Sequence, residues 1–361
     1  MKNIYAHLFH LLEEKKPLAL ATIMETKGSS PQVPGASALF SPEGLLAGTL
    51  GGGMLEADAQ QKALQALKEK ASFLSEFSLK ADLSSEEGAI CGGEVKILID
   101  ARPEEHRDTF YRLSQSLFQR QPGVLATFIH QLYGEKVSLS RHWIERKEKF
   151  AAELEGHLSL FKKQIEDAFS ASKPKLLKIE KRTLPEQAEE GLLFLEPIFP
   201  LSQLVIAGAG HIGQAVAHLG SLLKFEVTVI DDRPEFANRE RLPDTDHIIV
   251  DDIGKALHNF PISIDTYLVI VTRGHLHDAE ALRRCIASEA AYIGMIGSSR
   301  KIELMRKKFL EEGWATTRQF DRVYAPIGID ICSKTVEEIA ISIAAQLVLV
   351  RSQIHNKKKD I

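Results

Sequence analysis

The residues most able to do chemistry lie in Leu204-Val205-Ile206-Ala207-Gly208-Ala209-Gly210-His211-Ile212-Gly213, where an apolar run opens into G-x-G-x-x-G and then into a run of Ala, Val and Leu. In that pattern Gly208 permits a tight turn, Gly210 lets a pyrophosphate come close to backbone N–H groups, and Gly213 allows a helix to pack closely on a strand. A second apolar run, Glu226 to Ile230, ends in Asp231-Asp232, 23 residues beyond Gly208. A carboxylate there suits a ribose 2′-hydroxyl, and the pair repels a 2′-phosphate, an effect that Arg233 partly offsets. Later apolar runs end in Thr272-Arg273-Gly274-His275 and in Gly297-Ser298-Ser299-Arg300-Lys301. If these runs are strands of an open parallel sheet, their polar ends share the edge where ligands bind, and His211, Arg273, His275, Ser298 and Arg300 are candidates for phosphate contact.

The first half of the chain has a different set. Gly28-Ser29-Ser30-Pro31-Gln32-Val33-Pro34-Gly35 lies between the apolar runs Leu18 to Met24 and Ala36 to Phe40, in the manner of a hairpin connection. Gly51-Gly52-Gly53 joins a strand-like Leu45 to Leu50 to a helical Met54 to Glu69 that carries Glu56 in its first turn. Glycines allow a ligand to approach the backbone, and the first N–H groups of a helix have no partner inside it, so an anion can sit there. Cys91-Gly92-Gly93 directly precedes the strand-like Glu94 to Asp100. A thiol at a strand entrance packs as a small hydrophobe or serves as a ligand. His275, His277 and Cys285 do not form a closed ligand set by spacing, so no resident metal site is expected.

These motifs need elements to hold them. A chain of 361 residues favours two cores. The expected fold is α/β, a C-terminal Rossmann-type parallel-sheet domain over 200–361 and a smaller N-terminal α/β domain over 1–190. Strands are expected at Tyr267 to Val271 and Ala291 to Ile296, and helices at Ala279 to Ala287, Ser298 to Glu312 and Val336 to Val350. In the first half, Asn3 to Glu14 and Glu104 to Gln119 read as helices and Gly123 to His130 as a strand. Arg141 to Glu190 turns charged, with Phe150, Leu154, Leu158, Phe161 and Ile165 at helical spacing, and Lys173 to Gly191 has the composition of a surface connection. A net charge of −4 gives no overall attraction to nucleic acid or anionic membrane, no apolar run is long enough to span a bilayer, and three scattered cysteines make no disulfide framework. A reduced, cytoplasmic protein is expected, with neither nucleic acid nor membrane as a partner.

Beyond these readings, the ordered motifs resemble the XdhC/CoxI family. Gly28-Ser29-Ser30-Pro31 with Pro34-Gly35, Gly48-Thr49-Leu50-Gly51-Gly52-Gly53-Met54-Leu55-Glu56 and Cys91-Gly92-Gly93 look like that family's N-terminal domain. Gly208 to Gly213, Asp231-Asp232-Arg233-Pro234, Thr272 to His275, Gly294-Met295-Ile296-Gly297-Ser298 and Pro326-Ile327-Gly328-Ile329-Asp330 look like its Rossmann domain. The resemblance implies a chaperone rather than a catalyst. Such a protein binds the molybdenum–molybdopterin cofactor, holds it during sulfuration and inserts it into a molybdenum hydroxylase such as xanthine dehydrogenase. It further implies a cysteine desulfurase as sulfur source, a homodimer, and cofactor contacts at Ser29, Ser30, Gly35, Gly51 to Gly53, Glu56 and Cys91 to Gly93, with Cys91 able to touch molybdenum. The chain departs from the family pattern at Gln32 and Ser37, where basic residues are common, and at Ile331-Cys332-Ser333. The rival readings are an NAD(P)-dependent oxidoreductase and an NAD-binding sensor; no motif supplies an acid–base set for hydride chemistry, and no catalytic residue is assigned.

Overall fold

A computed structural model describes residues 3–79, 93–145, 156–170, 173–179 and 190–357. Cys91 and Gly92 lie outside the described residues, as do Phe150 and Leu154. The chain divides into two compact units, Met1–Pro200 and Leu201–Ile361.

The first unit runs α1 (Ile4–Glu13), β1 (Ala19–Lys27), β2 (Ser37–Ser41), β3 (Gly44–Gly48), α2 (Gly53–Glu69), β4 (Ser72–Ser78), β5 (Glu94–Asp100), α3 (Arg107–Phe118), β6 (Gly123–Tyr133), β7 (Lys136–Glu145), α4 (Lys162–Ser170), β8 (Lys175–Ile179) and β9 (Glu190–Ile198). The nine strands among the described residues form one antiparallel sheet in the order β3-β2-β1-β5-β4-β7-β6-β9-β8. This unit is the larger of the two, not the smaller, because β4, β7, β8 and β9 extend the sheet well beyond the strands expected from apolar runs. The segment read as a surface connection contains β8, an edge strand. Its Lys175 and Lys178 are exposed, and such lysines discourage edge-to-edge pairing. Side chains alternate across the sheet, so one face of β1 (Ala19, Ala21, Ile23) packs under α2 through Leu55, Ala59 and Ala63, while the other (Leu18, Leu20) packs under α1 and α3 through Leu8, Phe110 and Leu113. Of the helical stripe expected further on, Ile165 is buried on α4 against Val124, Ala126 and Leu193.

The second unit alternates strand and helix: β10 (Gln203–Ala207), α5 (His211–Leu222), β11 (Glu226–Asp231), β12 (His247–Val250), α6 (Ile253–Asn259), β13 (Thr266–Ile270), α7 (His275–Cys285), β14 (Tyr292–Met295), α8 (Ser299–Glu311), α9 (Thr317–Asp321) and α10 (Val336–Lys357). The sheet is parallel throughout, in the order β12-β11-β10-β13-β14. That is a Rossmann arrangement, whose strand order reverses beside β10, the strand that feeds the glycine loop. Two apolar layers cover the sheet, one carrying Leu257, Leu282, Ile293 and Phe309 and the other Val216, Phe225, Tyr267 and Leu347.

Candidate functional site

In the first unit the glycine motifs meet. The loop 28–35 hangs from β1 and β2, with Gly35 N–H donating to Ile23 O (2.8 Å) and Ile23 N–H to Ala36 O (2.9 Å). A Cβ on Gly51 would stand 2.7 Å from Pro31, so the triple-glycine turn lies directly against this loop. A Cβ on Gly93 would stand 2.2 Å from the carbonyl oxygen of Ser29, which brings the end of the third motif to the same place. Three segments separated by up to 65 residues, from Gly28 to Gly93, therefore share one locality. Ser30 Oγ is shielded there and makes no hydrogen bond among the described residues. A shielded hydroxyl without a partner is unusual in a folded protein.

The start of α2 adds open backbone. No side chain caps the helix at Gly52, so the N–H groups of Gly53, Met54 and Leu55 have no intrahelical partner, and the Cβ positions of Gly52 and Gly53 open onto free space. Glu56, expected among the cofactor contacts, is committed elsewhere. Its carboxylate accepts the Thr49 hydroxyl (2.7 Å) and the Leu50 N–H (2.8 Å) and so staples the turn to the helix. Burial alone would raise the Glu56 carboxyl, but the bonds from Thr49, Leu50 and Gly52 outweigh it and hold the pKa below its ordinary value. Gly52 has φ 73° and ψ −172°, a region almost closed to other residues. Gly52→Ala is expected to cost about 1–3 kcal/mol by urea unfolding through backbone strain alone, since the added methyl meets nothing.

Next to this cluster lies a charged group that sequence reasoning missed. Glu196 on β9 is buried and accepts a 2.5 Å hydrogen bond from the Tyr5 hydroxyl. Arg141, also buried, stands 3.0 Å from Asp100 and stacks over Phe110. Burial pushes the Glu196 carboxyl up to about 7, against the opposing pull of the Tyr5 bond and of Arg141. The space of a Gly35 Cβ lies 3.7 Å from a Glu196 oxygen, and Ser37 Oγ donates to Gly35 O (3.2 Å), so this group underlies the loop 28–35. The one signal in the sequence was a carboxylate inside the apolar run Leu192 to Ile198.

In the second unit Gly208 has φ 114°, and a Cβ there would stand 2.4 Å from Val271 O, so only glycine makes this turn. A Cβ on Gly213 would stand 1.9 Å from Gly208 O, which fixes helix against loop, whereas the same position at Gly210 is open. Asp231 does not present a free carboxylate to a ribose. One oxygen accepts the Ala209 N–H (2.7 Å) and Arg233 Nη2 (2.9 Å), and the other accepts Arg233 N–H (3.0 Å) and Nε (2.8 Å). Four bonds fill the four acceptor positions of a carboxylate. Burial would raise its pKa, but the Arg233 and Ala209 bonds dominate and lower it. Asp231 thus pins the glycine loop to the end of β11. The more exposed Asp232 pairs with Arg273 (2.8 Å) from the end of β13.

His211 and His275 open α5 and α7 and are both exposed. Ser298 caps α8 by accepting the Lys301 N–H, and Arg300 is exposed and without an ion pair among the described residues. Asp278, missed from sequence, is buried on α7; it accepts the Thr272 hydroxyl (2.6 Å) and pairs with Lys301 Nζ (2.6 Å), tying the ends of β13 and α8 together. Helices α5 and α7 begin at Gly210 and Gly274 without side-chain caps, so their open N–H groups share the edge that carries Asp232, Arg273 and Arg300. Among the described residues no group of three or more His, Cys, Asp or Glu could hold a metal ion, and no helix is long and apolar enough to cross a membrane.

Comparison with known proteins places both units. Residues 204–347 match the XdhC Rossmann domain, and residues 11–78 match the XdhC and CoxI family. The chain belongs to the XdhC and CoxI family. It is similar to a probable xanthine dehydrogenase subunit of Bacillus subtilis strain 168, with 26% identity covering 98% of this chain and 99% of that protein. The uncharacterized protein YqeB of Escherichia coli strain K12 is 24% identical over 97% of this chain, which spans only 46% of its length. The crystal structure of a xanthine dehydrogenase from Bacillus halodurans has the same fold, with a TM-score of 0.74, 26% identity, and coverage of 97% of this chain and 96% of that one. As an XdhC and CoxI family member, the chain has its matched N-terminal segment reaching across the loop 28–35 and the triple-glycine turn, and its matched Rossmann segment containing every candidate residue of the second unit.

Proposed function

We propose that this protein serves a xanthine dehydrogenase-like molybdenum hydroxylase by taking up the molybdenum–molybdopterin cofactor as cargo, keeping it while its terminal sulfur ligand is installed, and passing it to the apo-enzyme. Family membership and the likeness to a probable xanthine dehydrogenase subunit support the association with such an enzyme. The observation that carries the cargo reading is the meeting of Ser29-Ser30, Gly51 to Gly53 and Gly93, with a Ser30 hydroxyl that has no hydrogen-bond partner among the described residues, beside the open start of α2. The donor set fits a phosphorylated pterin. The N–H groups of Gly53, Met54 and Leu55 would receive the phosphate, and the Ser30 hydroxyl would meet a polar edge of the cargo. Glu56 would orient the turn without touching the phosphate. Cys91, two residues before Gly93 in the chain, is the thiol positioned by sequence to touch molybdenum or to receive sulfur from a cysteine desulfurase.

Reconstitution tests this reading. Protein loaded with molybdenum cofactor is expected to activate an apo-hydroxylase, and a Cys91→Ser variant is expected to lose most of that transfer while keeping its fold by circular dichroism. Transfer at the wild-type level by Cys91→Ser removes the thiol from the account.

The open N–H groups at Gly210 and Gly274 favour a second ligand, a nucleotide or a nucleotide-extended pterin, on the Rossmann unit. In that arrangement Asp232 and Arg273, rather than Asp231, would meet the sugar. Titration with NAD followed by calorimetry checks it: binding is expected to weaken at least several-fold in Arg273→Ala, and an NAD affinity unaltered by that change places the nucleotide elsewhere.

A further inference from the structure

Glu196 belongs to a buried group of charges that a single proton leaves neutral. Around it α1 brings Tyr5 and β7 brings Arg141, while β5 brings Asp100 and the turn ahead of α3 brings His106, both beside Arg141. Among the described residues Arg141 is the one cation acting on Glu196, and it stands 3.0 Å from a second buried acid, Asp100. His106 adds no positive charge, because burial lowers its pKa and disfavours the protonated form. Leu125 lies opposite Glu196 on β6, Pro174 shares the space under Gly35, and the loop 28–35 holds no ionisable side chain. Lys175, next to Pro174, is exposed. Ionising both acids leaves this interior with an uncompensated charge, and burial accordingly pushes the Glu196 carboxyl up to about 7.

A short chain of hydroxyls joins this carboxyl to the loop. One Glu196 oxygen accepts the Tyr5 hydroxyl (2.5 Å), and the other lies 3.7 Å from the space of a Gly35 Cβ. Ser37 has one hydroxyl hydrogen. It donates to Gly35 O (3.2 Å), and Ser37 also lies within hydrogen-bonding reach of the Tyr5 oxygen. The Thr22 hydroxyl, 2.9 Å from Ser37 Oγ, can donate to Ser37 in either orientation. Ionising Glu196 strengthens the bond from Tyr5 and makes the Tyr5 oxygen a better acceptor, so the Ser37 hydrogen turns from Gly35 O towards Tyr5. We propose that Glu196 is a positioning residue: with its proton in place Ser37 fastens the end of the loop 28–35, and loss of that proton releases it. Resting on the cargo reading, the inference adds that the site bordered by this loop holds its anionic cargo more tightly with Glu196 neutral, so that loading takes up a proton.

Hydrogen exchange at the Gly35 and Ala36 amides, which donate to Ile23 O and Val33 O, follows the loop in the full chain without cargo. Corrected for intrinsic exchange, it is expected to quicken at least about threefold from about pH 6 to about pH 8 in the wild type and to stay level in Glu196→Gln and in Ser37→Ala. Ser37→Ala retains the Glu196 carboxyl, so a purely structural role of Glu196 predicts the same pH response of the loop with and without Ser37. Where Glu196→Gln fails to fold, Ser37→Ala carries the test. The second arm is affinity for molybdenum cofactor released from a purified hydroxylase. Over the same pH range it is expected to fall several-fold further in the wild type than in Glu196→Gln, a difference that cancels the titration of the cargo's own phosphate. A level exchange profile in the wild type, or a rise that persists in either variant, overturns the role of Glu196 in positioning the loop. Equal losses of affinity in the two chains overturn its link to cargo. A chain that binds no cofactor at either pH sinks the cargo reading and the affinity effect with it, while the exchange profile still decides whether Glu196 fastens the loop.

Discussion

Gly213→Ala is expected to destabilise the Rossmann unit on the order of 3 kcal/mol or more, while Gly210→Ala, three residues earlier, leaves stability nearly unchanged. The two glycines belong to one motif but meet different surroundings. A methyl group on Gly213 falls 1.9 Å from the backbone oxygen of Gly208, a separation no folded structure tolerates, and the obstacle is main chain rather than a side chain that can swing away. Relief requires α5 to lift from β10, and that lift pulls Val216 and Ala217 out of the apolar layer they share with Phe225 and Val229. Gly210 has φ −67°, which any residue adopts, and its Cβ position is empty. A methyl there intrudes only on a ligand. Urea unfolding of both variants, paired with nucleotide titration, therefore separates the two positions: Gly213→Ala is expected to unfold at a lower urea concentration, and Gly210→Ala to keep its midpoint and, if the Rossmann unit holds the proposed nucleotide, to lose affinity for it. Equal unfolding midpoints for the two variants would contradict the packing described.

The second large effect is on pH dependence. Replacing Glu196 by Gln is expected to remove roughly 3 kcal/mol of stability change between about pH 4.5 and 7. Burial raises this carboxyl to about 7, above its value in the unfolded chain, so the native state holds a proton that the unfolded state has released. The resulting stabilisation is fully present below the unfolded pKa and is lost as pH rises through about 7. His106 and His142 act in the opposite direction. Burial lowers both, so the folded state disfavours their protonation and gains stability as pH rises through their range. The difference between wild type and Glu196→Gln at each pH cancels these contributions and isolates the carboxyl. Trp143 is buried in the same unit and reports its unfolding by fluorescence once Trp314 is replaced by Phe. A wild-type and variant difference that stays flat from pH 5 to pH 8 would place Glu196 in a wetter environment than the buried pairing with Tyr5 implies.

Legibility of the fold differed between the units for a physical reason. Strands β10, β11 and β13 are covered on both faces, so they appear as unbroken apolar runs, and the helices between them carry the longer period. In the antiparallel sheet of the first unit, strands such as β4 and β7 face different environments on their two sides and interleave Ser, Glu, Lys and Arg with apolar residues. Charge at Lys175 and Lys178 made an edge strand resemble a linker for the same reason.

The site showed a similar division. Glycine motifs were visible because backbone approach leaves few alternatives to glycine, and the structure brings Gly51 and Gly93 against the loop 28–35. Carboxylates were harder, since a sequence shows an acid but not its partners. Asp231 stood where a ribose contact belongs, yet it spends all four acceptor positions on Ala209 and Arg233. Glu56 similarly serves its own turn. Glu196, Tyr5 and Arg141 are far apart in the chain and meet only because α1, β7 and β9 converge on one face of the sheet.

The most direct measurement is the molybdenum and pterin content of the protein purified from a host that makes molybdenum cofactor, with bound nucleotide assayed in the same sample. Molybdenum and pterin in near-equal amounts to protein, and their loss when Gly52 and Gly53 are replaced by Ala in a chain that remains folded, are the predicted result. Protein that carries NAD but neither molybdenum nor pterin, from a host with ample cofactor, would contradict the cargo reading and leave a nucleotide-binding protein in its place.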